Sequence, residues 1–259
     1  MNRVALGIVL AIAAVVGVVF AVYPNLDIDI SRLFLDPHVK VFWIGGKPWE
    51  QVSRDAARWL ITLIVLPSFI AVAGKLIFPN RRMLVSGNTA LFLILTLAIG
   101  PGLITNVILK DHWARARPID VISFSATDRF TPWWDPDGSC DSNCSFVAGE
   151  PSGAFWTIAA AAVAPPQWRV LAYAAAVAFG TVVGVLRIAA GGHFFTDVVF
   201  AGVITYLVVW VLHGLIFRWR ATRLDNDMVE RVLARPGRKI LGTIRSPQPT
   251  PGRKSGDHP

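Results

Sequence analysis

Two basic residues seven positions apart, Lys110 and Arg117, follow a long apolar segment and precede Pro118. If the helix of that segment continues through them, they lie on one of its faces and point to one place. A guanidinium binds phosphate oxygens with a planar fork and an ammonium acts as a point charge, so the pair indicates a site for a phosphate dianion. The alternative is that basic side chains here only reach from a helix end to polar solvent, which is the role that we expect for Arg115.

A histidine and an aspartate at helical spacing, His193 and Asp197, form a second polar cluster. At positions i and i+4 the carboxylate can reach one ring nitrogen, fix the tautomer and raise the nucleophilicity of the other nitrogen. Gly191 and Gly192 permit close approach of the backbone just before the histidine, and Arg187 supplies a third cation. The spacing predicts that His193 is a nucleophile facing a phosphate.

A third polar cluster surrounds Pro151, a residue that suits the first position of a helix. Gly149 and Glu150 stand directly before it, where the free amides of the helix N-terminus can hold an anion. All three clusters lie beside apolar segments, where charged side chains are costly unless they are paired, solvated or functional. Their positions predict one shared phosphate site.

The elements that must position these clusters are six apolar segments. The chain has 259 residues, of which 54% are hydrophobic and 16% charged, against about 25% charged residues in soluble domains. The segments comprise residues 4–23, 59–78, 89–109, 151–165, 170–190 and 194–217. Most of them reach the roughly 20 residues that cross a hydrocarbon core. We therefore predict an all-α fold, a six-span transmembrane helical bundle over residues 1–217, with a short fourth span.

The net charge of +8 is concentrated on one side of this predicted bundle. Residues 218–259 contain ten Lys and Arg against four Asp and Glu, and Lys75, Arg81 and Arg169 lie on the same side as the termini. This distribution is typical of cytoplasmic segments. It therefore places both termini in the cytoplasm and the polar clusters on the opposite side, and it argues against a nucleic-acid partner. We expect the basic tail, residues 218–259, to be disordered, with contact to anionic lipid headgroups as a further possible role.

Cys140 and Cys144 are the two cysteines of the chain and lie on the predicted non-cytoplasmic side. A Cys-x3-Cys pair with no further cysteine and no nearby histidine makes a poor zinc site. In an oxidising compartment such a pair forms a small disulfide loop. We therefore predict this disulfide, with two free thiols as the alternative.

Together the three clusters resemble the signature of the type 2 phosphatidic acid phosphatase family. That signature reads Lys-x6-Arg-Pro, then Pro-Ser-Gly-His, then Ser-Arg-x5-His-x3-Asp. The first part is matched in full from Lys110 to Pro118, and the third part is matched from Arg187 to Asp197, with Leu186 where the family usually has serine. The resemblance covers roughly residues 1–217 and does not include the tail.

The middle part of the signature departs from the family pattern. In one register, residues 151–154 read Pro-Ser-Gly-Ala and the histidine is lost; in the other, residues 147–150 read Val-Ala-Gly-Glu and Glu150 takes the histidine position. We prefer the second register. A helix that started after Ala154 would run only about 15 Å before Pro165 at 1.5 Å per residue, whereas the hydrocarbon core is about 30 Å thick.

The resemblance implies a role for each matched residue. The family nucleophile attacks a phosphate and forms a phosphohistidine, the cations stabilise the phosphoryl oxygens, and the middle motif protonates the leaving alkoxide. By this resemblance the catalytic residues are His193, Asp197 and Glu150, and the phosphate-binding residues are Lys110, Arg117, Arg187 and Gly149. No metal and no cofactor is implied.

The resemblance also implies a substrate class and a location. The expected substrate is a membrane lipid phosphate, either lipid A, undecaprenyl pyrophosphate, phosphatidylglycerol phosphate or phosphatidic acid. The expected location is a bacterial inner membrane, with the active site facing the periplasm. The alternatives are a lipid phosphotransferase of the same fold and a catalytically inactive lipid-binding relative. A haloperoxidase is disfavoured by the predicted spans, and a transporter by charges at one face rather than at the midplane.

Overall fold

The computed structural model describes residues 2–245, and the side chains of residues 2–238. Within this range the fold is all-helical and contains no β-strand, only two isolated bridges. The helices are α1 (Arg3–Val22), α2 (Leu26–Arg32), α3 (Pro48–Ile77), α4 (Gly87–His112), α5 (Gly149–Phe155), α6 (Thr157–Ala162), α7 (Arg169–Ala189), α8 (Phe195–Arg218) and α9 (Asn226–Arg245). The predicted all-α fold is therefore confirmed.

Five helices in the described part of the chain are long and apolar enough to cross a membrane, namely α1, α3, α4, α7 and α8. Their sequences are almost free of charge along their middle turns, so each can leave a helix face against lipid without a desolvated charge. They correspond to five of the six predicted spans.

The fourth predicted span is divided into the two short helices α5 and α6, which meet at Trp156. Together they extend about 21 Å at 1.5 Å per residue, less than the other five. They pack against α3, α4, α7 and α8, and Trp156 is fully buried with its indole N–H donating to Thr96 Oγ1 at 2.9 Å. This short segment is thus the central element of the bundle.

The second half of α4, Ala98–Leu109, is π-helical and contains Pro101. Proline has no N–H for the regular helix ladder, and the amide of Asn106 donates to the Pro101 carbonyl at 2.6 Å. A π-helical stretch inside an α-helix is frequent at functional sites. Here it lies next to Lys110, in the last turn of α4.

The basic tail differs from the prediction of disorder over part of its length, because Asn226–Arg245 forms α9. This helix packs on α3 and α4: Val229 and Ala234 are buried, and Glu230 pairs with Lys75 at 3.1 Å. The charge count of the tail concealed this amphipathic pattern. The remaining tail positions, 246–259, lie outside the described residues.

Two connections cover the end of the bundle that carries the polar clusters. They are residues 23–47, which include α2, and residues 113–148. A cluster of apolar side chains, separate from the core between the spans, joins these connections to the start of α8. Its buried members are Ile28, Phe42, Ala116, Val121, Phe124 and Phe194. The polar residues between these segments are therefore held in a packed environment.

Candidate active site

A pocket of about 320 Å³ lies where the three polar clusters meet. It is lined by Arg54, Ala57, Arg58, Ile61, Pro101, Asn106, Lys110, Arg117, Asn143, Gly149, Glu150, Gly153, Arg187 and His193. The structure thus brings together six of the seven predicted site residues around one pocket. The seventh, Asp197, lies behind His193 and outside the lining.

His193 is buried at the pocket wall, with 2% of its surface exposed. Its Nδ1 lies 2.8 Å from the backbone carbonyl oxygen of Ser145. A carbonyl only accepts, so Nδ1 carries the proton and Nε2 has the free lone pair. Burial and the nearby cations Arg187, Lys110 and Arg117 lower the pKa of His193 well below its usual value. The ring is therefore neutral at pH 7 and has one nucleophilic nitrogen.

Asp197 does not contact His193 in the way that the sequence predicted. Its Oδ2 lies 3.9 Å from His193 Nδ1, beyond hydrogen-bond distance. The same oxygen accepts from the hydroxyl of Ser145 at 2.6 Å and from the backbone N–H of Phe194 at 2.8 Å. Asp197 thus caps the N-terminus of its own helix, and the carbonyl of Ser145 takes the direct contact with the histidine.

The expectation that Arg115 reaches polar solvent is wrong. Its side chain is fully buried and stacks on the ring of Phe194 at 4.4 Å. It pairs with Asp197 at 2.5 Å and with Asp27 at 2.7 Å. Burial alone would lower the pKa of Arg115, but the two carboxylates outweigh it and raise the pKa. The sequence carries no motif that connects Asp27 to Arg115.

Lys110 and Arg117 share the pocket for a different reason from the predicted one. The helix α4 ends at His112, so the two residues do not lie on one helical face. They meet at Asn143, whose side-chain oxygen accepts from Lys110 Nζ at 3.0 Å and whose carbonyl accepts from Arg117 Nη2 at 2.7 Å. Burial and the neighbouring Arg187 lower the pKa of Arg117, which is the effect of crowded positive charge that an anion would relieve.

Cys140 and Cys144 form the predicted disulfide. The five-residue loop that it closes contains Asn143, the residue on which both cations converge. Asn143 itself has a positive φ of 50°, a conformation that asparagine tolerates better than most residues. The disulfide therefore lies directly beside the side of the pocket that carries Lys110 and Arg117.

Glu150 faces two arginines across the pocket. Its Oε1 accepts from Arg54 Nε at 2.6 Å, and its Oε2 lies 2.9 Å from Arg187 Nε. The second contact is a close ion pair but not a hydrogen bond, since its geometry is not aligned and both Glu150 Oε2 and Arg187 Nε have no hydrogen-bond partner. Glu50 completes the group by accepting from Arg187 Nη1 at 2.8 Å. The sequence analysis did not identify Arg54 and Glu50 as site residues. The only pattern that marks them is an acidic and a basic residue four positions apart, just before the second predicted span.

The surroundings of α5 favour the register in which Glu150 takes the position of the family histidine. Gly149, its first residue, allows a close approach of the backbone, since a Cβ there would lie 2.8 Å from the side-chain oxygen of Asn106. Ser152, which belongs to the rival register, is fully buried and bonds to Thr105 and Thr205. Ser152 therefore belongs to the packing between helices, whereas Glu150 faces the pocket.

The chain is similar to a known protein family and to several known proteins. Residues 89–221 match the PAP2 superfamily. The chain is 33% identical over 217 residues to a lipid A 4'-phosphatase of Francisella tularensis subsp. novicida, and this alignment covers 83% of this chain and 96% of the relative. It is 32% identical over 204 residues to a lipid A 4'-phosphatase of Rhizobium leguminosarum, and that alignment covers 74% of this chain and 87% of the relative. No solved structure matches significantly.

Proposed function

Because the chain belongs to the PAP2 superfamily, we propose that it removes the 4'-phosphate of lipid A through a phosphohistidine on His193. The family and the curated relatives make it a phosphoric ester hydrolase and support a membrane lipid phosphatase. Lipid A is the first choice among the four lipids considered because three relatives carry that name. The observation that carries the mechanism is a buried His193 whose Nδ1 donates to the Ser145 carbonyl. It lies at the wall of a pocket lined by Lys110, Arg117 and Arg187.

The proposed reaction has two displacements at phosphorus. His193 Nε2 forms a bond to phosphorus while the bond to the lipid oxygen breaks, and the leaving oxygen takes a proton from water or, if it acts as general acid, from Glu150. Water then attacks the phosphohistidine, the bond between nitrogen and phosphorus breaks, and inorganic phosphate leaves. The proton that the attacking water loses replaces the one taken by the leaving oxygen, so the ring and the donor are restored. Lys110, Arg117 and Arg187 stabilise the charge on the phosphoryl oxygens, as phosphoryl transfer requires.

Glu150 has two candidate roles in this reaction. As general acid, it would have to release its arginines and take up a proton when the phosphate arrives. As a positioning residue, it would keep Arg187 and Arg54 directed at the pocket. The geometry favours the second role, because both carboxylate oxygens point at guanidinium groups.

We further propose six crossings of the membrane, of which α5 and α6 together make the fourth. The start of α5 and the end of α7 line the same pocket, so the residues between them must carry the chain away and bring it back. The two helices extend about 21 Å, less than the roughly 30 Å of the hydrocarbon core, but other helices surround them, so the backbone at their ends is buried in protein rather than exposed to lipid. Residues 1–217 then form the catalytic unit and residues 218–259 the tail.

The placement of the two faces follows from the basic residues. Lys75 pairs with Glu230 of α9, and Arg169 begins α7, so these cations lie at the end of the bundle away from the pocket. By the positive-inside rule, that end is cytoplasmic. The pocket then faces the periplasm of a bacterial inner membrane.

The test is phosphate release from lipid A by the purified full chain, with the other three lipid phosphates as a panel. We expect lipid A to be the preferred substrate and His193→Ala to retain less than about 1% of the rate. The exposed His38→Ala is the matched control. Retention of more than a few per cent by His193→Ala would contradict the nucleophile, and a second phosphorylated lipid on thin-layer analysis would indicate a phosphotransferase.

A further inference from the structure

Asp27 is a buried aspartate that the signature does not contain and that lies outside the matched residues 89–221. It belongs to α2, in the connection between the first two spans, and 1% of its surface is exposed. Burying a carboxylate is costly unless it is paired and hydrogen-bonded. Its partners therefore indicate which part of the molecule requires it.

Asp27 joins Arg115 to the start of α8. Its Oδ2 accepts from Arg115 Nη2 at 2.7 Å and from the hydroxyl of Thr196 at 2.6 Å, and its Oδ1 accepts from the Thr196 backbone N–H at 3.0 Å. The other terminal nitrogen of Arg115 donates to Asp197 Oδ1 at 2.5 Å and to the Thr196 hydroxyl at 2.8 Å. One guanidinium thus connects a carboxylate of α2 with a carboxylate of α8.

This network reaches His193 through Ser145, which is held at three points. The backbone N–H of Ser145 donates to the Arg115 carbonyl at 2.8 Å, and its hydroxyl donates to Asp197 at 2.6 Å. Its own carbonyl accepts from His193 Nδ1 at 2.8 Å. The atom that sets the tautomer of the histidine is therefore fixed by Arg115 and Asp197. Asp27 binds the guanidinium of Arg115, and that guanidinium binds Asp197.

A second acidic residue of α2 provides a contrast. Asp29 pairs with Arg32 at 2.9 Å, and both side chains are more than half exposed. Such a surface pair contributes little to stability. Two carboxylates two residues apart on one short helix thus differ in whether they connect to the site.

We infer that Asp27 and Arg115 are positioning residues for catalysis. They hold Asp197 and Ser145 where the Ser145 carbonyl keeps the proton of His193 on Nδ1 and leaves Nε2 free. The inference rests on the proposed role of His193 as the nucleophile. Positioning matters because a displacement of about 1 Å at a reacting atom can lower a rate by about 10²-fold.

The first test compares Asp27→Asn with Asp29→Asn in the purified full chain. Asparagine keeps the shape of the side chain but removes its charge. We expect Asp27→Asn to lower kcat about 10- to 100-fold, with KM changed by less than about 2-fold because the phosphate-binding cations are untouched. Asp29→Asn should leave both constants as in the wild type.

The second test separates positioning from folding with orthovanadate and inorganic phosphate. Vanadate accepts the lone pair of His193 Nε2, so that a nitrogen–vanadium bond forms and none breaks, whereas phosphate is held by the cations alone. We expect Asp27→Asn to weaken vanadate binding by about 10-fold or more in calorimetry and to leave phosphate binding unchanged. Partial unfolding would lower the fraction that binds either ligand and not the ratio of the two affinities.

The outcomes distinguish this inference from the proposed function. If the wild type releases no phosphate from any lipid, the proposed function fails, and the ratio of vanadate to phosphate affinity still decides the inference. If Asp27→Asn gives too little folded protein, Thr196→Val removes the bridging hydroxyl without leaving a charge unpaired and undergoes the same measurements. An unchanged kcat and an unchanged affinity ratio would overturn the inference, as would a wild type that binds vanadate no more tightly than phosphate.

Discussion

The two sides of His193 are built from the same residue types in opposite ways. Behind the ring, Arg115 lies between Asp27 and Asp197, and all three side chains are at most 2% exposed. In front of it, Arg54 and Glu150 have side-chain exposures of 34% and 20%. The rear carboxylate oxygens are all hydrogen-bonded, whereas Glu150 Oε2 in front has no aligned donor.

This difference separates two tasks. Charges in a buried, fully satisfied network interact strongly, and removing any one partner leaves another charge unpaired. Charges at a solvent-accessible pocket are screened and can exchange one anionic partner for another. The rear network is therefore suited to fixing the geometry of His193. The front group is suited to directing Arg54 and Arg187 at an anion in the pocket.

Replacing one arginine on each side should give the largest difference between them. Arg115→Met removes the charge between two buried carboxylates and should lower the free energy of unfolding by about 3–5 kcal/mol. Arg54→Met removes a partly exposed partner and should cost less than about 1 kcal/mol. Titration with a denaturing detergent measures both values. If both variants lost the same free energy of unfolding, the buried and the exposed ion pairs would contribute equally to stability, and the comparison would fail.

Glu150→Gln sharpens the comparison on the front side alone. If Glu150 is the general acid, the variant should slow hydrolysis of an alkyl phosphate by about 10²-fold. The loss of rate should be smaller for a nitrophenyl phosphate, because nitrophenolate leaves without a proton. If Glu150 holds Arg187 and Arg54, both substrates should lose rate by the same factor, because phosphate binding is affected and not the leaving group. The geometry favours equal losses, and Ser152→Ala is the control from the rival register.

The front of the site was largely predictable from sequence, and the rear was not. Lys110, Arg117 and His193 lie in short local patterns, and all three line the pocket, although Lys110 and Arg117 do not share the helical face that their spacing predicted. Arg115 stands in the same stretch, but its partners lie 88 and 82 positions away, so local spacing showed only a charge near a helix end. No periodicity identifies Asp27 either, since its role depends on how α2 packs against α8.

The fold, like the site, was predictable in part from the sequence. Long apolar segments identified the five helices of spanning length, because length and composition alone decide that property. The tail was misjudged over Asn226–Arg245, because a high charge count does not prevent a helix with one apolar face from packing on its neighbours. The direct contact expected between His193 and Asp197 failed for a related reason. Spacing on a helix predicts proximity, but the competing donors around the carboxylate come from other segments.

The pH dependence of stability is the smallest effect that we expect. It tests whether the surroundings of His193 keep its ring neutral in the folded protein. Burial and the cations Arg187, Lys110 and Arg117 lower its pKa in the folded state, whereas the unfolded histidine titrates near 6.5. The unfolded chain therefore binds more protons as the pH falls below about 6.5, and stability should decrease there by up to about 1.4 kcal/mol for each pH unit. Thermal unfolding of the wild type and of His193→Ala between pH 7.5 and 5 measures this effect. The variant should lose stability less steeply, and parallel slopes would show that His193 is not held neutral by its surroundings.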